Sequence, residues 1–385
     1  MGTQIHGRVD EGYGPVADAF RANFEHHGDV GAAFCLHVDG EPVVDIWGGE
    51  ASPGVPYDAD TLQLVFSTTK GATAVVASIL AQRGLLDVDA PVVEYWPEFG
   101  ANGKEHIPVR WLLSHQAGLL APSGTLDEAD VLAVAPVVAD LAAMAPLWEP
   151  GTQHGYHAVT YGWLVGEVVR RITGITLGEV FAKEVAGPLG LDFWIGLPED
   201  LEPRVAPLLP SPPPTPEVAE LLAVVMGPGT LAWRALTVNG AVDFADAAHV
   251  FNRRGYHATE MPAANGITNA RSLSRLYAAC IGEVDGVRLL EPDQMERARA
   301  EQVRGPDAAL MVESAFGLGF WLDTENDRKL GPGSFGHAGA GGSLGFAHPE
   351  SGVAFGYVMN QMAGGLIDDP RTNGLIDAVR ASRGT

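Results

Sequence analysis

Lysine is scarce in this chain, limited to Lys70, Lys104, Lys183 and Lys329, and its 24 basic residues face 48 acidic ones for a net charge of −24. That balance excludes a general nucleic-acid or anionic-membrane surface, both of which depend on basic patches. Cysteine is nearly absent. Cys35 and Cys280 lie most of the chain apart, which excludes a disulfide framework and favours two buried free thiols. No uninterrupted apolar stretch reaches transmembrane length, and Val131 to Leu147 is cut by Pro136, Asp140 and Pro146. The first ten residues hold no basic region followed by an apolar run, so no secretory leader is expected and a cytoplasmic location is. These absences leave a globular protein with a small neutral partner.

What is present supports that. The 385 residues, 46 % hydrophobic with 48 Gly and 27 Pro, can bury a large core joined by many turns. Val16 to Phe24 has helical spacing. Gly31 to Val38, then Asp39-Gly40, then Glu41 to Gly49 is a hairpin signal. From about Ala72 to Val185 the pattern is helical, with elements expected at Asp127 to Ala145, interrupted at Pro136, at Val159 to Thr173 before Gly174, and at Thr176 to Val185. Leu208 to Pro216 is proline-rich, a rigid connector that either bridges domains or frames an entrance. Helices are expected at Ala270 to Cys280, Pro292 to Ala300 and Leu375 to Ala381. Period-two runs follow at Gly317 to Leu322, Leu344 to Ala347 and Val353 to Met359. Strands at both ends with helices between them imply one sheet closed from distant segments and a helical insertion.

Ser67-Thr68-Thr69-Lys70 opens an apolar helix, where residues three apart share a face, so Ser67 and Lys70 can touch. Unpaired N–H groups at a helix start favour negative charge, and apolar neighbours favour a neutral lysine, which together suit a serine nucleophile with Lys70 as base or proton relay. The plain alternative is a capping serine and a solvated first-turn lysine. Tyr156 follows the turn Pro150-Gly151 on a loop before a helix. Beside a proton-sharing Lys70 its ionised form is favoured, so it could take the Ser67 proton; alternatively it is a packed interface tyrosine. Gly336 to Gly345 brings small residues into a strand, where a backbone N–H could join that of Ser67 as an oxyanion hole, or where the glycines merely make a bend.

Two motifs read as decoys. Gly331-Pro332-Gly333-Ser334-Phe335-Gly336 matches a nucleotide-loop pattern but follows no strand and opens no helix. Gly341-Gly342-Ser343-Leu344-Gly345 matches a nucleophile elbow, yet the apolar alternation comes after it and only His348 lies downstream. His154 and His157 lack a third ligand at convincing spacing, so no metal is expected.

Ser67-Thr68-Thr69-Lys70, Pro150-Gly151 leading to Tyr156, and His337-Ala338-Gly339 stand in the order and approximate spacing of the serine β-lactamase/penicillin-binding-like superfamily. The chain especially resembles its class C β-lactamase-related esterases, the family VIII carboxylesterases, as does Leu112-Leu113-Ser114-His115-Gln116-Ala117-Gly118-Leu119. The resemblance covers nearly the full length. It implies an α+β fold, an antiparallel sheet flanked by helices, with residues 1–71 and 265–385 forming the sheet-and-helix domain and 72–264 an inserted helical domain. It implies Ser67 as acyl-enzyme nucleophile, Lys70 as its activating partner and Tyr156 as base. The backbone N–H groups of Ser67 and Ala340 become the oxyanion hole, with His337, Ala338, Gly339 and Ala158 at the substrate and no cofactor. Ala158 replaces an amide-holding Asn, and His337-Ala338-Gly339 replaces Lys-Thr-Gly, which removes an ammonium and a hydroxyl that would meet a β-lactam carboxylate. Short or medium acyl esters are therefore the expected substrates. An amidase, D-amino-acid peptidase, β-lactamase or acyltransferase would use the same residues, and a non-catalytic binding protein could use the same fold.

Overall fold

The computed structural model describes residues 2–364 and 368–383. Its strands, in chain order, are β1 (Ile5–Val9), β2 (Gly31–Val38), β3 (Glu41–Ser52), β4 (Val55–Pro56), β5 (Gln63–Leu64), β6 (Phe193–Trp194), β7 (Ile267–Thr268), β8 (Val303–Pro306), β9 (Glu313–Phe316), β10 (Trp321–Leu322), β11 (Phe335–Ala338), β12 (Leu344–His348) and β13 (Val353–Met359). The large sheet runs β1-β3-β2-β13-β12-β11-β10-β9-β8 with β4 on the side of β3 and antiparallel pairing throughout. A small second sheet runs β5-β7-β6, also antiparallel. The join between β2 and β13 makes the two ends of the chain neighbours, as a sheet divided between distant segments requires.

Alternation in β2 and β13 creates two faces. Phe34, Leu36, Phe355 and Tyr357 point to one side, where helices Gly14–His26 and Pro370–Arg383 cover them. The other face carries small residues, Ala33, Cys35, Ala354 and Gly356, and this lets helix Ala270–Ile281 lie close. A Cβ on Gly356 would stand 2.4 Å from Ala270 O, so the glycine sets that approach. On the same side a continuous core reaches through helices Thr69–Gln82 and Thr160–Thr173 into the helical region. Helix Thr69–Gln82 is buried from Thr69 to Leu80, so it is apolar on every side because every side is packed. The fold is thus α+β, a central antiparallel sheet flanked by helical segments. Among the described residues no helix is long and apolar enough to cross a membrane. Cys35 and Cys280 are both free and buried.

The hairpin turns on Asp39 (φ 50°) and Gly40 (φ 85°), the positive pair that a two-residue hairpin loop favours. Three local expectations need correction. Gly317 to Leu322 is strand only at Trp321 and Leu322, because Gly319 takes φ 87° and the Gly317 N–H closes a turn onto Phe320 O. The Asp127 to Ala145 helix breaks at Val134 (φ 63°), which leaves Pro136 unstrained in the first turn of the second helix. Most consequential for the site, the proline-rich connector leads into helix Pro216–Val225, with Thr215 as its cap.

Candidate active site

Ser67 sits in the 3-10 turn Phe66–Thr68 that feeds helix Thr69–Gln82, where the first N–H groups have no intrahelical partner. The turn is entered through Phe66 at φ 43°, a left-handed conformation that costs a phenylalanine on the order of 1–3 kcal/mol. Packing holds it there. The Phe66 ring meets Phe251 edge-on at 4.9 Å, and Phe66 O accepts the Thr69 hydroxyl at 2.5 Å.

Lys70, one turn on, is fully buried. Its Nζ donates to Ala158 O at 2.6 Å and Ala263 O at 2.9 Å, and stands 3.0 Å from Ser67 Oγ. Burial pushes this amine well below the ordinary lysine range. Among the described residues no carboxylate pairs with it to oppose that shift. With two N–H bonds committed to carbonyls, a neutral amine turns its lone pair toward the Ser67 hydroxyl.

The Tyr156 ring lies over the same amine, 4.7 Å from Nζ to the ring centroid. Its hydroxyl is buried; proximity to Ser67 eases its ionisation, but the two make no hydrogen bond of ordinary geometry. Burial dominates and raises the phenol above its usual range, opposite to the expectation that Lys70 favours the phenolate. In the resting site burial therefore favours the protonated phenol and the neutral form of the amine beside it.

Four buried residues brace Tyr156. Asp307 Oδ1 accepts the backbone N–H groups of Tyr156 (3.0 Å), Ala309 (2.8 Å) and Leu310 (2.9 Å). His157 Nδ1 donates to Gly155 O at 2.7 Å while its Nε2 accepts Leu119 N–H at 2.9 Å, which fixes a neutral ring; burial lowers its pKa to about 4. The His157 N–H in turn donates to His115 Nδ1 at 3.1 Å. His154 Nε2 pairs with Ser314 Oγ at 2.9 Å. These histidines are spent on loop bracing, and among the described residues no group of His, Cys, Asp or Glu is arranged to hold a metal.

Ser67, Tyr156, Ala158, Ala338, Gly339 and Ala340 line one pocket. Gly339 permits this: a Cβ there would stand 2.2 Å from Val65 O, so only glycine lets the segment after β11 press against the turn that carries Ser67. The loop closes through Gly339 N–H to Ser343 O at 2.7 Å and is clamped by Arg371, which donates to Gly341 O and pairs with Asp29 at 2.9 Å. His337 is placed differently from its neighbours. Its ring is fully buried behind the pocket wall, 5.9 Å from the Tyr156 ring and 5.3 Å from Trp321. Nδ1 donates to Ala338 O, and burial holds the ring neutral. Ser343 bonds to Val65 O (2.9 Å) and Thr68 Oγ1 (3.1 Å), so the elbow-like motif supplies a strut under the turn that carries Ser67. Gly331 to Ser334 is a turn leading into β11.

Sequence reasoning misses Asp307, Ala263 and Phe66. Asp307 follows Pro306 in a turn-forming pair, a signal that could have marked it, whereas Ala263 contributes only a carbonyl and leaves none.

A model of the beta-lactamase family matches residues 17–378. The esterase/beta-lactamase LipL of Mycobacterium tuberculosis is 37 % identical over 360 residues, 89 % of this chain and 80 % of that protein. A crystal structure of a family VIII carboxylesterase superposes with a TM-score of 0.88 at 39 % identity, covering 98 % of this chain and all of that one. EstA of Arthrobacter nitroguajacolicus superposes with a TM-score of 0.86 at 35 % identity, covering 100 % and 99 %. With the family matched over nearly the whole length, and a serine, a buried lysine and a tyrosine gathered at one pocket, the chain belongs to the beta-lactamase family of serine hydrolases.

Proposed function

We propose that this protein is a carboxylic ester hydrolase that works through an acyl-enzyme on Ser67, with short or medium acyl esters as substrates. The observation that carries the reading is the Lys70 amine, held by two carbonyls, unpaired with any carboxylate among the described residues, and 3.0 Å from Ser67 Oγ. Neutral Lys70 takes the Ser67 proton as Oγ attacks the ester carbonyl. The oxyanion is held by the backbone N–H groups of Ser67 and Ala340. Tyr156, protonated at rest, gives its proton to the departing alkoxide and recovers one from the Lys70 ammonium beneath its ring. Water then attacks the acyl-enzyme by the reverse proton path and releases the acid. Ala158, Ala338 and Gly339 form walls against the substrate, and His337 backs Tyr156.

The same reading takes residues 1–71 with 265–385 as the sheet-and-helix unit, 72–264 as its helical insertion, and the cytoplasm as the location. Preference for esters follows from what the site lacks. A β-lactam or peptide carboxylate meets no ammonium at His337-Ala338-Gly339, and neutral His337 supplies no charge. The discriminating experiment compares p-nitrophenyl butyrate, nitrocefin and a D-alanyl-D-alanine amide on one preparation. Ester kcat/KM at least about a hundredfold above the other two is expected; dominant nitrocefin or amide turnover would replace the esterase reading.

A further inference from the structure

The proton chemistry occupies a confined pocket, but a much larger cavity opens from it, and no step of the reaction uses it. This cavity measures about 980 Å3 and shares Tyr156, Ala158, Leu236, Phe244, Leu310 and Ala340 with the pocket around Ser67. That size is at the upper end of small-molecule sites, which run to roughly 1,000 Å3. Its outer wall is the Pro210 to Pro214 run and helix Pro216–Val225; its floor includes Ala232 and Ala235. Asp246 is the one charged residue among the described residues that line it.

Two features show that the cavity is not simply interior space. None of the residues of helix Pro216–Val225 is buried, although Val218, Leu221, Leu222 and Val225 all face the cavity. Leu221 stays 60 % exposed and Val218 46 % exposed. Apolar side chains are thus left uncovered in a cavity that adjoins the Ser67 pocket, where an apolar group entering with the substrate would remove them from water. A charged group would lose its hydration there and find only a carboxylate.

We propose that this cavity receives an extended, uncharged hydrocarbon arm of the ester, so that the preferred substrates are aliphatic esters with one medium-length arm rather than esters with two short ones. The proposal rests on the ester-hydrolase reading above and names its substrate class. Helix Pro216–Val225 is the specificity-determining wall, with Leu222 and Val225 contacting the chain. The continuity of the cavity with the Ser67 pocket is what selects the substrate itself as the occupant.

The test is kcat/KM for two series below their micellar concentrations: p-nitrophenyl acetate, butyrate and octanoate, which lengthen the acyl arm, and ethyl, hexyl and octyl acetate, which lengthen the alcohol arm. Each methylene withdrawn from water contributes a factor of up to roughly four, so a rise of at least about tenfold from the shortest to the longest member of one series is expected; the series that rises identifies the arm. Leu222→Trp, which fills the cavity from a helix with no buried residue, should lower that long-to-short ratio about tenfold; Val225→Trp is the second variant should the first not fold. The ratio is read within one variant, so partial misfolding cannot imitate the effect. Flat or falling series with acetates still hydrolysed would overturn the proposal and leave the esterase reading standing. Failure to hydrolyse any ester would overturn both.

Discussion

The pocket around Ser67 and the cavity beside it share a wall but are built on opposite principles. In the pocket several polar groups around Ser67 are tied to backbone: Lys70 to two carbonyls, Asp307 to three N–H groups, Ser343 to Val65 O, Arg371 to Gly341 O. The cavity is walled by exposed proline and by aliphatics that are exposed, as at Val218 and Leu221, or half-buried, as at Leu222 and Val225. Chemistry demands geometry held to a fraction of an ångström, and hydrogen bonds inside a packed core supply it; chain selection demands only an apolar volume. The difference teaches that changes in the pocket should act on turnover, while changes in the cavity wall should act on which ester is turned over.

Breaking the pocket should give the largest effects. Ser67→Ala removes one hydroxyl from a half-buried position and should abolish ester turnover while melting temperature stays within a few degrees of the parent, checked by steady-state assay and thermal unfolding. Lys70→Met removes the base and should lower kcat by about 10³ or more; Tyr156→Phe, which keeps the ring over Lys70, should lower it by roughly 10²–10⁴. Activity close to the parent in either would show that the proton route runs elsewhere.

The pH dependence sharpens the same contrast. Since burial holds Lys70 below the ordinary lysine range, the rising limb of kcat/KM, where the amine loses its proton, should end well below pH 10.5. Stability should respond separately. His37 and His157 are held near pKa 4 against an ordinary 6.5, so the unfolded chain binds more protons than the native one between those values. Stability is therefore lost as pH falls from about 6.5 toward about 4, and melting temperature should drop over that window. Substituting His157 with Gln should shallow the drop.

Ser343→Ala should have the smallest effect on chemistry. It removes a strut and leaves Thr68 without one partner, at a cost of roughly 1–2 kcal/mol in stability, while turnover stays within a few-fold of the parent. A loss as deep as that of Ser67→Ala would return the nucleophile role to the elbow motif.

How much of this was legible in the sequence follows the same division. Ser67 and Lys70 could be paired from helical spacing alone, and the hairpin at Asp39-Gly40 and the strand Val353–Met359 could be read from turn chemistry and period-two alternation. The direction of the Tyr156 shift could not, because it depends on burial contributed by distant β9 to β11. Carbonyl partners such as Ala158 and Ala263 leave no side-chain signal. Helix Pro216–Val225 does carry a start signal, Thr215 followed by Pro216 and Glu217, but the preceding prolines obscure it and its lack of buried residues removes the need for a strict apolar period.

The central claim is that Ser67 becomes acylated. Intact-mass measurement and peptide mapping after brief exposure to p-nitrophenyl butyrate test it most directly. A butyryl adduct confined to the peptide that contains Ser67, absent from Ser67→Ala, is the predicted result. An unlabelled protein that still turns over the ester, or a label on Ser343, would contradict it.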